Sequence, residues 1–406
     1  MTETIRIGQM SDLHLGYRQY GQFDRAKDFF NAAADAVETL LEQVPDFVVV
    51  PGDIFHRARP YPADQRHSIR VFDVFRQNRI PVFATRGNHD ASYAWSKRQG
   101  GNELHVLQDL GLLTYLEDEF KEVSLSNGLS VRVWGLGYYG NDTSAKLKGL
   151  AKENEDALDD SDMPNILLMH AYLENMIPSA KLSEYTLDVL GFDYVAIGHY
   201  HKWWLNGSET ICCSGSTEHV SAAEWDNPER SVAVATLTKK STSWESSVER
   251  FTYAVRPKKR KKLELGTVTI TEASEAVSQA LQELDEEHAI IRIDVTGKLS
   301  EAHESLDIRS LTQEAKKAFH VTIEPQMDYA GLPVREDVSD TELMEEVFVQ
   351  RMDVSEENAG KWVSLANNMK DILTGSLDDK AESTLLEMLY DFTDDEVIQE
   401  ELGDAE

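Results

Sequence analysis

Short apolar runs alternate with longer stretches of helical period through the first half of the chain. Thr4–Met10, Phe47–Val50 and Ile80–Ala84 read as strands, rich in β-branched and aromatic residues. Between them, Phe29, Phe30, Ala33, Ala34, Val37, Leu40 and Leu41 repeat at helical spacing over Phe23–Leu41, and Ala63–Arg79 reads as a second helix. Further strands are predicted at Val131–Trp134, Ile166–Met169, Tyr194–Ile197, Thr210–Ser214 and Val232–Leu237. Strands alternating with helices predict a layered α/β domain.

The texture changes at Arg256–Lys262, RPKKRKK, a basic run that reads as a linker. Beyond it come strands at Gly266–Ile270, Ala289–Val295 and Val321–Glu324, with helices over Glu272–Leu284 and Leu306–Phe319, the pattern of a small α+β domain. From about Gly331 the chain is acidic and reads as helix, linker, helix. In Thr341–Asp353, Leu343, Met344, Val347, Phe348 and Met352 share one helical face, and in Ser383–Phe392, Leu385, Leu386, Leu389 and Phe392 do the same. Such stripes need a partner or must pack back on the body. The expected division is 1–255, 256–330 and 331–406.

Length and charge narrow the reading. The 406 residues suit two to three domains, and 41% hydrophobic residues suffice for real cores. No apolar stretch reaches the ~20 residues of a membrane span, and no secretory signal is legible at the N-terminus. Cys212 and Cys213, adjacent and alone, form no disulfide framework and fit a reducing cytoplasm. Asp and Glu number 72 against 40 Lys and Arg, a net charge of -32. That excess argues against a polyanion partner. Because the acid is spread along the whole chain, adaptation to a salt-rich cytoplasm is the favoured cause.

Candidate chemistry sits where the apolar runs end. Asp12 and His14 follow the first strand, and Asp53 and His56 the second. Asn88, His89 and Asp90 follow the third, His170 the Ile166–Met169 run, and His199 and His201 the Tyr194–Ile197 run. Carboxyl ends of strands in α/β sheets form the ligand crevice, so these residues are expected to converge. Imidazole, carboxylate and amide oxygen suit divalent Mn, Fe or Zn, and the lack of thiolate disfavours a closed structural zinc site. Two adjacent ions need a bridging group, which an Asp can supply.

The ordered pattern DxH … GDxxxH … GNHD … H … GHxH resembles the calcineurin-like metallophosphoesterase superfamily. The run Gly52-Asp53-Ile54-Phe55-His56, with Asp12-Leu13-His14-Leu15-Gly16, looks like the nuclease subunit of MRN/SbcCD-type double-strand-break repair complexes, the meiotic recombination eleven family. The resemblance implies a layered α/β sandwich, a small α+β capping domain that contacts DNA and a C-terminal helical segment. It implies two Mn²⁺ per subunit, with Mg²⁺ or another divalent ion as substitutes. One ion would be held by Asp12, His14, Asp53 and His201, the other by Asp53, Asn88, His170 and His199. A metal-bridging hydroxide would be the nucleophile, His89 the general acid, and His56 the residue that places substrate for exonuclease action. Asp90 would orient His89 or cap the helix that follows.

The activities implied are 3′→5′ double-strand exonuclease and single-strand endonuclease. The partners implied are DNA, an SMC-like coiled-coil ATPase bound through Leu343, Val347, Phe348, Leu385, Leu386 and Leu389, and a second copy of the chain. Candidates for the homodimer surface are Ile69, Val71, Phe72, Val74 and Phe75 with the Leu104–Leu113 segment, though internal packing would give the same spacing. Candidate DNA contacts are Arg57, Arg86, Lys258, Lys259 and Arg260. Competing readings are a small-substrate phosphodiesterase and a scaffold that tethers DNA ends.

Overall fold

A computed structural model describes residues 3–90, 101–300, 305–329 and 358–374. The chain divides into two compact units, Met1–Lys258 and Lys259–Glu406.

The first unit is built on two six-stranded sheets. One has β1 (Thr4–Gln9), β2 (Phe47–Pro51), β3 (Val82–Thr85) and β4 (Thr114–Tyr115) side by side in parallel, with β11 (Arg230–Lys239) and β12 (Trp244–Tyr253) antiparallel on the β1 edge. The other has β5 (Glu119–Ser124), β6 (Ser130–Leu136), β7 (Asn165–His170), β8 (Tyr194–Gly198), β10 (Ile211–Cys213) and β9 (Trp204–Leu205), in that order. The central strands β6, β7, β8 and β10 are parallel.

The sheets face each other across Ile5, Ile7, Phe47, Val49, Ile166, Leu168 and Ala196. Helices cover both outer faces. α1 (Phe23–Glu42) and α2 (Pro62–Gln77) pack Ala33, Val37, Phe72 and Phe75 on Val48 and Val50. On the far side, Leu147 of α4 (Thr143–Glu153) and Leu187 of α6 (Glu184–Leu190) lie against Trp134, Leu167 and Ile197. Between these come α3 (Glu103–Asp109) and the short α5 (Glu155–Asp159). Parallel strands clothed on both faces are apolar throughout, so β2, β7 and β8 read as continuous runs in the sequence.

Val71, Phe72 and Phe75 are buried in this core and Ile69 and Val74 pack against it, which corrects their reading as a homodimer face. In the Leu104–Leu113 segment, Val106 and Leu110 are the exposed apolar positions.

In the second unit, α7 (Ile270–Leu284) lays Ala273, Val277 and Leu281 on a three-stranded sheet of β13 (Lys258–Val268), β14 (Ile290–Leu299) and β15 (His320–Tyr329). Three expectations are corrected here. The basic run is no linker but the start of β13. Its charges pair within the unit, Lys259 with Glu286 at 2.7 Å and Arg260 with Asp294 at 2.7 Å, while Leu263 and Leu265 pack on the core. The expected strand at Gly266–Ile270 splits, because Thr269 accepts from the backbone of Glu272 and starts a helix. The helix expected over Leu306–Phe319 shrinks to α8 (Ile308–Thr312), since Asp285 takes the backbone N–H groups of Lys316, Lys317 and Ala318 at 3.0–3.1 Å.

The acidic segment read as a linker contains α9 (Ala359–Thr374), in which Trp362, Leu365, Met369 and Ile372 recur at helical spacing. The two amphipathic stretches over 341–353 and 383–392, with Leu343, Val347, Phe348, Leu385, Leu386 and Leu389, lie outside the described residues.

Candidate metal centre

The loops after β1, β2, β3, β7 and β8 meet at one rim of the double sheet. Pairing between the first two continues past the sheet: His14 N donates to Asp53 O at 3.0 Å and Leu15 N to Ile54 O at 2.9 Å. Asp12 Oδ1 accepts from His199 N at 2.9 Å and so joins the two sheets. The loops bend sharply. Asp12, His14, Asp53, His199 and His201 all have left-handed φ, between 43° and 93°. Such φ costs about 1–3 kcal/mol per non-glycine residue and persists only where the surroundings enforce it. Two glycines let the loops close: a Cβ on Gly87 would fall 2.0 Å from Asp53 Oδ1, and one on Gly198 would fall 2.1 Å from Pro51 O.

Two ligand groups contain carboxylates, Asp12–His14–Asp53–His201 and Asp53–His170–His199, and a third is all imidazole, His14–His56–His89; in each the donor atoms lie within 4.8 Å of one another. Asn88 joins the second, with Oδ1 3.0 Å from His170 Nε2. Asp53 belongs to both carboxylate-bearing groups. Its Oδ2 is buried and accepts no hydrogen bond, yet lies 3.7 Å from His14 Nε2 and 3.3 Å from His170 Nε2.

The tautomers fit cations. His170 donates Nδ1–H to Pro51 O at 2.9 Å, and His201 points Nδ1 at Glu224 Oε1 at 3.4 Å. With a metal bound each ring is neutral and presents its lone pair through Nε2. His201 Nε2 meets His14 Nε2 at 3.2 Å, and His170 Nε2 meets the Asn88 oxygen. Donor atoms this close suit cations held between them, so the residues suit two divalent ions sharing Asp53.

Electrostatics agree. Burial would raise the Asp53 pKa, but His170 and His14 hold this carboxyl far below the usual range. Burial opposes charge on His170, yet Asp53 and Asp12 outweigh it and bring its pKa up to about 9. The pocket therefore draws positive charge, and a metal ion and a proton compete for that ring. Burial pushes His14 well down and His199 to about 3, which keeps both rings neutral as ligands must be.

Residues 5–203, the span that carries these loops, match the profile of the calcineurin-like phosphoesterase family. They form a calcineurin-like phosphoesterase domain. Among relatives, the DNA double-strand break repair protein Mre11 of Archaeoglobus fulgidus is 37% identical over 129 residues, 32% of this chain and 28% of that protein. That of Methanocaldococcus jannaschii is 29% identical over 222 residues, 54% of this chain and 58% of that protein. That of Haloferax volcanii is 28% identical over 312 residues, 73% and 62% respectively. The chain thus spans less than two thirds of the length of these relatives. A solved dimetal phosphatase from Danio rerio aligns over 62% of this chain and 99% of its own, with a TM-score of 0.35 and 12% identity.

Around the phosphoesterase ligands, His56 is sandwiched between Tyr17, at 3.8 Å between ring centroids, and His89, at 5.0 Å. Burial, then His89 and Arg57, lowers the His56 pKa to about 4. His89 donates Nδ1–H to the His56 carbonyl at 2.9 Å, which leaves Nε2 as its working nitrogen. Asp90 does not orient that ring. Its buried carboxylate accepts Phe55 N at 2.8 Å and Gly87 N at 2.9 Å and pins the second and third loops together. The helix it was expected to cap lies outside the described residues.

Two proposed DNA contacts are corrected. Arg86 is buried, donates to Tyr138 O at 2.9 Å and lies over the Tyr139 ring. The Lys258 side chain is 3% exposed and pairs with Glu218. Arg57 is exposed, over the ring of Tyr61 at 4.7 Å, while Lys259 and Arg260 are half-exposed within their ion pairs. Sequence reasoning missed Glu224, the partner of His201. Its one sequence signal is Ser221-Ala222-Ala223-Glu224, the S-x-x-E of a capping box, which announces a turn and not a metal site.

Proposed function

We propose that the chain is a two-metal DNA phosphodiesterase of double-strand-break repair, acting as a 3′→5′ exonuclease and a single-strand endonuclease with Mn²⁺. The observation that carries this reading is Asp53, one buried carboxylate shared by two ligand groups, within a phosphoesterase domain whose relatives are repair proteins. When bound, the ions supply Lewis acidity and an activated water. The chain's own part is to hold both ions through rigid loops and to hold a proton donor beside them. His89, anchored through Nδ1, is that donor, with Nε2 free to protonate the leaving oxygen. His56, stacked between Tyr17 and His89, forms a flat wall on which the strand end rests.

The amphipathic stretches over 341–353 and 383–392 support docking on an SMC-like coiled-coil ATPase, and exposed Val106 and Leu110 support pairing of two copies.

Cleavage of end-labelled duplex and single-stranded DNA with Mn²⁺, Mg²⁺ and chelator tests the reading. Mn²⁺-dependent shortening is expected, and His89→Ala is expected to slow it about 10²- to 10⁴-fold without loss of bound metal. Turnover of a chromogenic phosphodiester with no cleavage of DNA, even with the ATPase added, would instead indicate a small-substrate enzyme.

A further inference from the structure

Beside His199 lies a cavity of about 290 Å³ that the two-metal chemistry does not use. Its walls include Tyr138, Tyr172, Ser144, Ser179, Lys181 and Leu182. We propose that it receives one unstacked nucleobase of the strand being cut, adjacent to the scissile phosphate. This deepens the nuclease reading and rests on it.

Position comes first. His199 is both a wall of the cavity and a member of the second ligand group. A phosphate on the metals therefore leaves its neighbouring nucleoside at the cavity mouth. Size comes next. The volume is at the small end of ligand pockets, which run from roughly 300 to 1,000 Å³, and it suits a single ring system. A base still in its duplex stack cannot enter, so the cavity selects unpaired or frayed nucleotides.

The lining gives the chemistry. The Tyr172 ring lies 4.0 Å from that of His199 at 42°, and the Tyr138 ring 5.1 Å from it at 59°. These π faces stack on any base. The hydroxyls of Ser144 and Ser179 both donate and accept hydrogen bonds, so they meet a purine or pyrimidine edge without choosing between them. Lys181 makes no ion pair among the described residues, although the chain holds 72 acidic groups against 40 basic ones. An unpaired cation on the rim is placed for the next phosphate along the strand.

The test compares thymidine 5′-monophosphate with deoxyribose 5-phosphate, binding each to the Mn²⁺-loaded protein by calorimetry. The base is expected to add about ten-fold or more in affinity, the scale of one base–aromatic stack. Ala180→Trp and Ser144→Trp, each placed in the cavity wall, should both erase that increment. The Mn²⁺ affinity of each variant reports whether the site has kept its fold. In parallel, a single strand with one abasic nucleotide should be cut poorly at that step. Equal affinity for the two phosphates, or an increment that survives both variants, would overturn the proposal. Base-dependent binding without strand cleavage would support the cavity and sink the nuclease reading. Strand cleavage indifferent to the base would do the reverse.

Discussion

Glu224 accepts from Ser221 N at 2.8 Å, Ser216 Oγ at 3.0 Å and Val220 N at 3.2 Å, and faces His201 Nδ1. Arg230 stands 3.7 Å away and also holds the His201 carbonyl. Burial would raise the Glu224 pKa, but His201 and Arg230 hold it at about 2, so the carboxylate is ionised and fixes which nitrogen of His201 faces the metal site. Glu224→Ala should weaken Mn²⁺ binding about 10- to 100-fold, with Glu224→Gln between, because an outer hydrogen bond sets ligand orientation. Isothermal titration reads this directly, and unchanged affinity in the Ala variant would remove Glu224 from the site. The ligands themselves were legible at this scale because each is a histidine, aspartate or asparagine just past an apolar run. Glu224 was not, since its partner is 23 residues away and no local pattern joins them.

Among elements, the strands and long helices read from the hydrophobic pattern of the first unit were found within a few residues, while β5, β12 and α4 were not foreseen. In the second unit the departures fell where side-chain pairing overrode composition. The basic run at Lys258 shows this most clearly. Its Lys258 pairs with Glu218, which also accepts His219 N at 2.6 Å and lies 3.5 Å from the buried Arg25 of α1. Burial raises the Glu218 pKa, but Lys258, His219 and Arg25 together outweigh it and hold the carboxyl far below its usual range. A depressed carboxyl stabilises the fold above its unfolded pKa of about 4.3, and this stabilisation is lost as pH falls below that value. Glu218→Gln removes the carboxylate that pairs with the buried Lys258 and leaves Arg25 with Asp28 alone. It should cost about 3–5 kcal/mol at pH 7, or roughly 10 °C in Tm, and the gap to wild type should close towards pH 3. Thermal unfolding across that range checks it; a gap independent of pH would mean that lost packing, not lost charge, is the cause.

For the whole molecule the net charge of -32 dominates. The densest basic run offers little to a polyanion, since Lys259, Arg260 and Lys261 are all paired within their own unit. Surplus carboxylates repel one another over about 10 Å at 0.1 M salt and only about 3 Å at 1 M. Tm is therefore expected to rise by several degrees between 0.1 and 2 M KCl, where an ordinary near-neutral protein changes little. A flat or falling Tm would show that the acid excess serves a partner surface and not the solvent. No helix among the described residues is long and apolar enough to cross a membrane.

Periodicity reports local backbone geometry, and five ligand-bearing loops in fixed order at strand ends are a one-dimensional fact. The sequence alone therefore determined the layered α/β class and the set of candidate ligands that the loops bring together. Tertiary structure alone decided that Asp12 ties to His199 across 187 residues of chain. It also decided that Arg86 and Lys258 face inward and that Glu224 governs His201. Those outcomes depend on how two sheets stack and which charges burial brings together, and no local spacing encodes either.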